Sequence, residues 1–240
     1  MATVNTKELQ EKLFERLRPS GWAPHLKGFL LSDDFKSILD KLVEDSQDGR
    51  HFTPKIKQVF RAFEECPYND LKVIMVGQDP YPTMVDGINV ADGIAFSCGN
   101  TNKLQPSLKF MLSEVQDQMY PAGMTNWEPD LKRWANQGIL LLNTALTTTI
   151  GKTGTHYMLW QPFVVYVLDY LSWHNPGLIY AFLGKQAQTF MGGMTENNYK
   201  FVATHPATAA YNKQEKWDSQ DLFKKISEQL HKSNGLKIEW

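Results

Sequence analysis

Cysteine is scarce in this 240-residue chain: Cys66 and Cys98 are the only two, and they form no CxxC pair. Two thiols so placed cannot build a zinc or iron–sulfur framework, and two free thiols suit a reducing compartment. The six histidines include no HxxxH or HxH pairing, so no metal site is expected. An excess of charge is missing too, with 25 Lys and Arg against 26 Asp and Glu for a net charge of -1. That excludes a broadly basic, histone-like binder but leaves room for a local phosphate-binding patch. No apolar run approaches the roughly 18 residues of a membrane span. The opening MATVNTKELQEKLF has no apolar core of the kind a secretory signal carries. The expectation is a soluble intracellular protein, cytoplasmic or nuclear. There is no internal repeat, no low-complexity segment and no linker that would divide the chain.

What is present is an ordinary globular balance, 42% hydrophobic and 12% aromatic with seven tryptophans, enough for a full core. Most of the aromatics read as core. Helical spacing predicts helices over 6–17, with Thr6 as N-cap, over 33–46, and over 54–65, with Thr53 as N-cap and Pro54 in first position. Pro19, Gly21 and Pro24 are read as breakers. An apolar strand then runs from Leu71 to Val76 and ends in Gly77-Gln78-Asp79-Pro80-Tyr81. A helix from Pro106 to Tyr120 follows, then a loop up to Pro129 and a short helix over 130–136. A second strand starts at Ile139 and stays apolar until Asn143. A strongly apolar helix over 161–173 precedes a third strand, Gly177–Gly184, a helix from Lys185, a fourth strand over 199–204, and a helix at about Ser219–Leu230.

Strands alternating with helices predict crossover connections and a parallel sheet. The fold expected is α/β: one domain over residues 1–240 in three layers, a central four-stranded parallel twisted sheet with helices on both faces. A helical part occupies about 1–65 and the sheet about 71–206. In such sheets ligands bind beyond the carboxyl ends of the strands. Each strand here ends in polar residues or glycine: Gln78 and Asp79, Asn143, Gly184 and Lys185, and His205. Singly, Asn143 reads as a structural hydrogen-bonder and His205 as a turn histidine before Pro206. An acid, an amide, a cation and an imidazole converging on one edge make a catalytic cleft the stronger reading. Gly184-Lys185 lacks the spacing and the Ser/Thr of a P-loop.

Several of these stretches resemble family 1 uracil-DNA glycosylases. GQDPY at 77–81 resembles the water-activating motif, GIAFS at 93–97 the uracil-stacking segment, and PSLK at 106–109 a phosphate loop. WANQGILLLNTALT at 134–147 is similar to the uracil-reading strand, YAFLGKQAQ at 180–188 to a second phosphate segment, and ATHP at 203–206 to the catalytic-histidine loop. They occur in the family's order and cover roughly residues 21–240.

The resemblance implies a monofunctional, base-flipping DNA repair enzyme that cleaves the N-glycosidic bond of deoxyuridine, without metal or organic cofactor, expected as a monomer. Asp79 would orient the attacking water and steady the cationic sugar. His205 would donate to uracil O2 as charge develops there. Asn143 would read O4 and N3–H of uracil, Tyr81 would exclude a thymine methyl, Phe96 would stack on the base, and Gln78 would contribute backbone contact. Pro106, Ser107, Gly184 and Lys185 would hold phosphates.

Four departures stand out. Pro82 follows the GQDPY motif where the family usually has histidine. The loop from Tyr81 to Phe96 is a few residues longer. The family's His-Pro-Ser-Pro-Leu becomes His205-Pro206-Ala207-Thr208-Ala209, so the leucine that wedges into DNA is replaced by Ala209, with Tyr211 as the alternative wedge. Lys185 stands in place of a serine. These departures keep open a second reading, a catalytically weak DNA-binding or polymerase-processivity component of the same fold. A protein inhibitor or replication partner is a candidate for either.

Overall fold

In the computed structural model, which describes residues 4–123 and 127–240, the chain begins with α1 (Thr6–Arg16), α2 (Ala23–Leu30), α3 (Asp33–Gln47), β1 (Phe52–Thr53) and α4 (Arg61–Glu65). It continues through β2 (Val73–Gly77), β3 (Met84–Val85), β4 (Ile88–Asn89), α5 (Pro106–Met119), α6 (Lys132–Ala135), β5 (Ile139–Asn143) and β6 (Thr148–Thr149). Then come α7 (Tyr157–His174), β7 (Ile179–Leu183), α8 (Lys185–Gln188), β8 (Tyr199–Ala203), α9 (Pro206–Tyr211) and α10 (Leu222–Asn234). Part of the loop expected before Pro129 lies outside the described residues.

The four expected strands form one parallel sheet in the order β5-β2-β7-β8. All five residues of β2 and of β7 are buried, which is why both read as unbroken apolar runs. The register sets Gly77 opposite Asn143 and Leu183 opposite Ala203, so the carboxyl ends share an edge. Around the sheet, α1, α2, α3 and α7 pack on one another, and α5 packs with α9 and α10. Phe35, Trp160 and Phe163 of the first group interlock with Phe60 and Phe63 at α4, and Phe223 of the second with Trp134 of α6 and Trp240 of the tail. Both cysteines are buried free thiols.

Several boundaries differ from expectation. Asn5, not Thr6, caps α1, its side chain accepting from the backbone of Lys7 and Glu8. α2 forms where breakers were read, because Pro24 falls in its first turn, where no N–H is required of it. The helix expected over 54–65 is split. Thr53 belongs to β1, residues 56–58 make a 3-10 turn, and only Arg61–Glu65 is α-helical. The break lies where the Gln58 carbonyl meets Gly93, so closely that a Cβ on Gly93 would sit 1.8 Å from it. α7 begins a turn earlier than expected and contains Pro162. That proline withholds an N–H only from the Met158 carbonyl, and both residues lie on the exposed face of the helix. The tail helix ends four residues later than expected, at Asn234, where Gly235 adopts the left-handed conformation. α9 was not expected at all. The longer loop after Tyr81 contains the β3–β4 hairpin, turning at Asp86-Gly87 with both φ positive, as a tight hairpin requires.

Candidate active site

At the end of β2 the chain leaves the sheet but stays tied to β5. The Gln78 carbonyl accepts from the Thr144 hydroxyl at 2.6 Å and from the Ala145 N–H at 3.2 Å. This fixes the backbone that carries Asp79. One oxygen of Asp79, Oδ2, accepts the Gly154 N–H at 2.6 Å. Burial pushes the Asp79 carboxyl above its ordinary value, while the Gly154 N–H and the nearby Tyr157 and Thr148 hydroxyls work against that rise. Thr148 lies in β6 and Tyr157 opens α7, and Gly154 comes from the loop between them, which the sequence shows only as a polar, glycine-bearing connection over 150–156. Its glycines were the one available signal of a close backbone approach.

Phe96 has φ +65, a conformation that non-glycine residues seldom adopt. Two contacts hold it there. The Tyr81 hydroxyl donates to the Phe96 carbonyl at 3.0 Å. One residue on, the Ser97 hydroxyl donates to Asp92 at 2.6 Å. Asp92 is fully buried; it also accepts from the N–H groups of Ile94 and Gly99 and pairs with Arg61 at 2.7 Å. Asp92 and Arg61 thus set the whole 92–99 loop, and sequence reading missed both. An Asp one residue before a glycine-led apolar segment gave no periodic signal.

Gly77 explains why Phe96 and Asn143 meet. A Cβ there would lie 2.7 Å from Asn143 Oδ1 and 2.8 Å from Phe96 Cζ, so only glycine lets both side chains close over the strand end. Asn143 faces a recess of about 20 Å³ that Pro80, Tyr81 and Phe96 also line. That is room for about one water molecule.

His205 follows β8 and caps α9: its Nδ1 accepts the Ala207 N–H at 3.2 Å. An acceptor at Nδ1 leaves the proton of the neutral ring on Nε2. Burial lowers the His205 pKa to about 4, so the ring is neutral at physiological pH. Gly184 has φ +91, and a Cβ on it would fall 2.8 Å from the His205 Cβ. The glycine before Lys185 therefore makes space for the imidazole. The Phe96 and His205 rings lie 5.5 Å apart, centre to centre.

Asp79, Gln78, Tyr81, Phe96, Ser107 and His205 line one cleft of about 220 Å³, with Tyr211 at its rim. Pro106 and Ser107 occupy the first turn of α5, and Lys185 is exposed at the start of α8. Ala209 is not a wedge. It is 1% exposed on α9, against which α5 packs. The reason is local. His205 caps, Pro206 takes the first helical position and alanines follow, so the segment coils into a helix instead of projecting as a loop. Tyr211, 81% exposed, stands free. Among the described residues no cluster of His, Cys, Asp or Glu is arranged to hold a metal ion, and no helix is long and apolar enough to cross a membrane.

Fold and cleft together define an α/β protein that gathers a carboxylate, a neutral imidazole and aromatic rings at the carboxyl edge of a parallel sheet. The chain belongs to the uracil DNA glycosylase superfamily, whose family model matches residues 63–231. It is 35% identical over 231 residues to a uracil-DNA glycosylase of Mycoplasma pneumoniae, covering 92% of each chain. It is 31% identical over 240 residues to one of Acinetobacter baumannii, covering 98% of this chain and 97% of that one. Among solved structures, mimivirus uracil-DNA glycosylase superposes with a TM-score of 0.82 at 23% identity, over 95% of this chain and 88% of that one. A variant of mimivirus UNG has been solved in complex with UGI.

Proposed function

We propose that this chain is a uracil-DNA glycosylase that acts on DNA by hydrolysing the bond between uracil and deoxyribose, releasing free uracil and leaving an abasic site. The observation that carries the mechanism is the cap on His205. Its Nδ1 is occupied by the Ala207 N–H, so Nε2 presents a proton to the cleft without the ring being charged. As the glycosidic bond stretches, negative charge builds on the uracil O2. A donor already aimed at that oxygen stabilises the departing anion with no reorganisation. Asp79, held by Gly154 across the same cleft, sits where a carboxylate steadies the positive sugar and orients water toward its anomeric carbon.

A stacked base cannot reach such a cleft, so the nucleotide enters flipped out of the helix. Phe96 supplies the stacking face, Asn143 the amide that matches O4 and N3–H of uracil, and Tyr81 the wall against a methyl at C5. The recess beside Asn143, about 20 Å³, is smaller than a base, so uracil enters as the pocket widens. Ser107 and Lys185 hold the flanking phosphates. No lysine stands at a nucleophile position in these motifs, so strand scission is not part of the reaction. Release of uracil from single-stranded DNA tests the proposal, with Asp79→Asn and His205→Ala as controls. Wild-type protein that releases no uracil overturns it.

A further inference from the structure

Helix α7 has a composition that suits a buried helix and a position that is only half buried. Its 18 residues, YMLWQPFVVYVLDYLSWH, contain a single formally charged side chain, Asp169. A helix apolar on all sides normally lies inside a protein or against a partner. The inner face of α7 is accounted for: Trp160, Phe163, Val164, Val167, Leu168 and Leu171 are buried. The outer face is not. Met158, Val165 and Trp173 are 79%, 39% and 70% exposed. They recur at helical spacing with Pro162 and Asp169 and form one stripe. The other large aromatics of this helix pack inward or against neighbours; Trp173 alone stands out.

Beside the stripe lies a groove of about 560 Å³, lined by Phe29, Val165, Tyr166 and Trp173 with Asp34 and Asp169, and with His174 stacked on Tyr170 at its end. Burial alone pushes the Asp169 carboxyl up, and among the described residues no cation pairs with it. The groove thus offers aromatic faces and two carboxylates. A guanidinium or ammonium fits that chemistry, stacking on Tyr166 or Trp173 while it neutralises Asp169.

We infer that the outer face of α7 docks a partner protein, through a segment of apolar side chains that carries an arginine or lysine. A second copy bound through the same face does not supply the cation, because α7 contains no Arg or Lys to set against Asp34 and Asp169 of the other copy. Association through an exposed tryptophan and a partner arginine also follows the pattern in which a few large residues dominate binding. The inference rests on this surface and not on the reading of the cleft.

The probe is a phage-displayed library of random peptides of about 16 residues, long enough for four helical turns, panned against the full chain. Selected peptides are then titrated by fluorescence anisotropy. The expected peptides carry Arg or Lys within an apolar stretch. Trp173→Ser should weaken them about tenfold or more. Asp169→Lys should do the same, and exchanging the peptide's basic residue for Glu should restore binding to Asp169→Lys. Unchanged uracil release by both variants checks their fold. Three results overturn the inference: no enriched peptide, enriched peptides that bind Trp173→Ser as tightly as wild type, or a dimer that Val165→Asp dissociates.

Discussion

Oδ2 of Asp79 lies 2.6 Å from the backbone nitrogen of Gly154, 75 residues further along the chain. The proposed catalytic carboxylate is therefore steadied by main chain, which no side-chain substitution removes directly. Gly154 has φ +73, and a Cβ there would lie 2.9 Å from the Tyr157 ring. Gly154→Ala should shift this loop and cost Asp79 its donor. That donor opposes the rise in the Asp79 pKa caused by burial, so its loss raises the pKa further. The acid limb of the pH–rate profile should move to higher pH and kcat should fall about tenfold. Rates measured between pH 4 and pH 8 check both.

Asp79→Asn should separate activity from stability. A carboxyl whose folded pKa is raised is stabilising in its protonated form, and that contribution is lost as pH rises through the folded value. The amide stays neutral throughout. kcat should drop about a hundredfold or more, while Tm at pH 7 should hold or rise. Thermal melts beside uracil-release rates decide the point.

His205 titrates in the opposite sense. Its folded pKa of about 4 is below the ordinary histidine value, so its neutral form favours the folded state. This contribution is complete above about pH 6.5 and is lost as pH falls toward 4. His205→Ala should flatten the loss of stability over that window. In wild-type protein, ¹⁵N spectra at pH 5.5 should show a neutral ring with its proton on Nε2.

Arg61 and Asp92 should matter more to Phe96 than their distance from the chemistry suggests. Asp92→Ala leaves Arg61, itself largely buried, facing Asp130 and Glu65 without its closest inner partner. Removing one side of a buried pair costs about 3 kcal/mol or more. Urea denaturation should register that loss. KM for uracil-containing DNA should rise, because the loop that holds Phe96 at φ +65 loses its anchor.

Ala209 and Tyr211 should respond differently to substitution. Ala209→Leu should overpack the contact between α9 and α5 at about 1–3 kcal/mol and restore no wedge. Tyr211→Ala should lower activity on duplex DNA more than on single strands if its ring fills the gap left by the flipped nucleotide. With Lys185 holding a phosphate by charge as proposed, activity on both substrates should fall as salt rises. Equal effects on both substrates, with little salt dependence, would count against this account.

The proposed selectivity of the pocket rests on two side chains. Tyr81→Ala should admit thymine, and Asn143→Asp should gain cytosine at the expense of uracil. Product analysis by chromatography distinguishes them, and unchanged selectivity in the second would mark Asn143 as structural.

The sheet was legible because β2, β5 and β7 are buried on both faces, and burial writes itself as unbroken apolar runs. The polar ends of those strands were legible for the same reason, since Asp79 and Asn143 interrupt the runs. What was not legible was set by contacts between distant segments. Gln58 against Gly93 divides a helix that local propensity favours. Gly154 reaches Asp79 through its backbone, which carries no side-chain signature. The helix after His205 did have local signals, a proline in first position followed by alanines. They were outweighed by the expectation of a projecting loop. The exposed side of α7 was hidden by its own composition, which reads as core.

The cap on α9 ties two properties of the enzyme to one equilibrium. His205 Nδ1 closes the first turn of that helix, and the same bond decides which ring nitrogen bears the proton. When the turn frays, Nδ1 is freed, the other tautomer becomes accessible and water reaches the ring. On the proposed role of His205, the competent molecules would be those in which Pro206–Tyr211 are coiled. A DNA strand that pressed on Tyr211 at the far end of that short helix would act on the same equilibrium and so link substrate contact to proton placement.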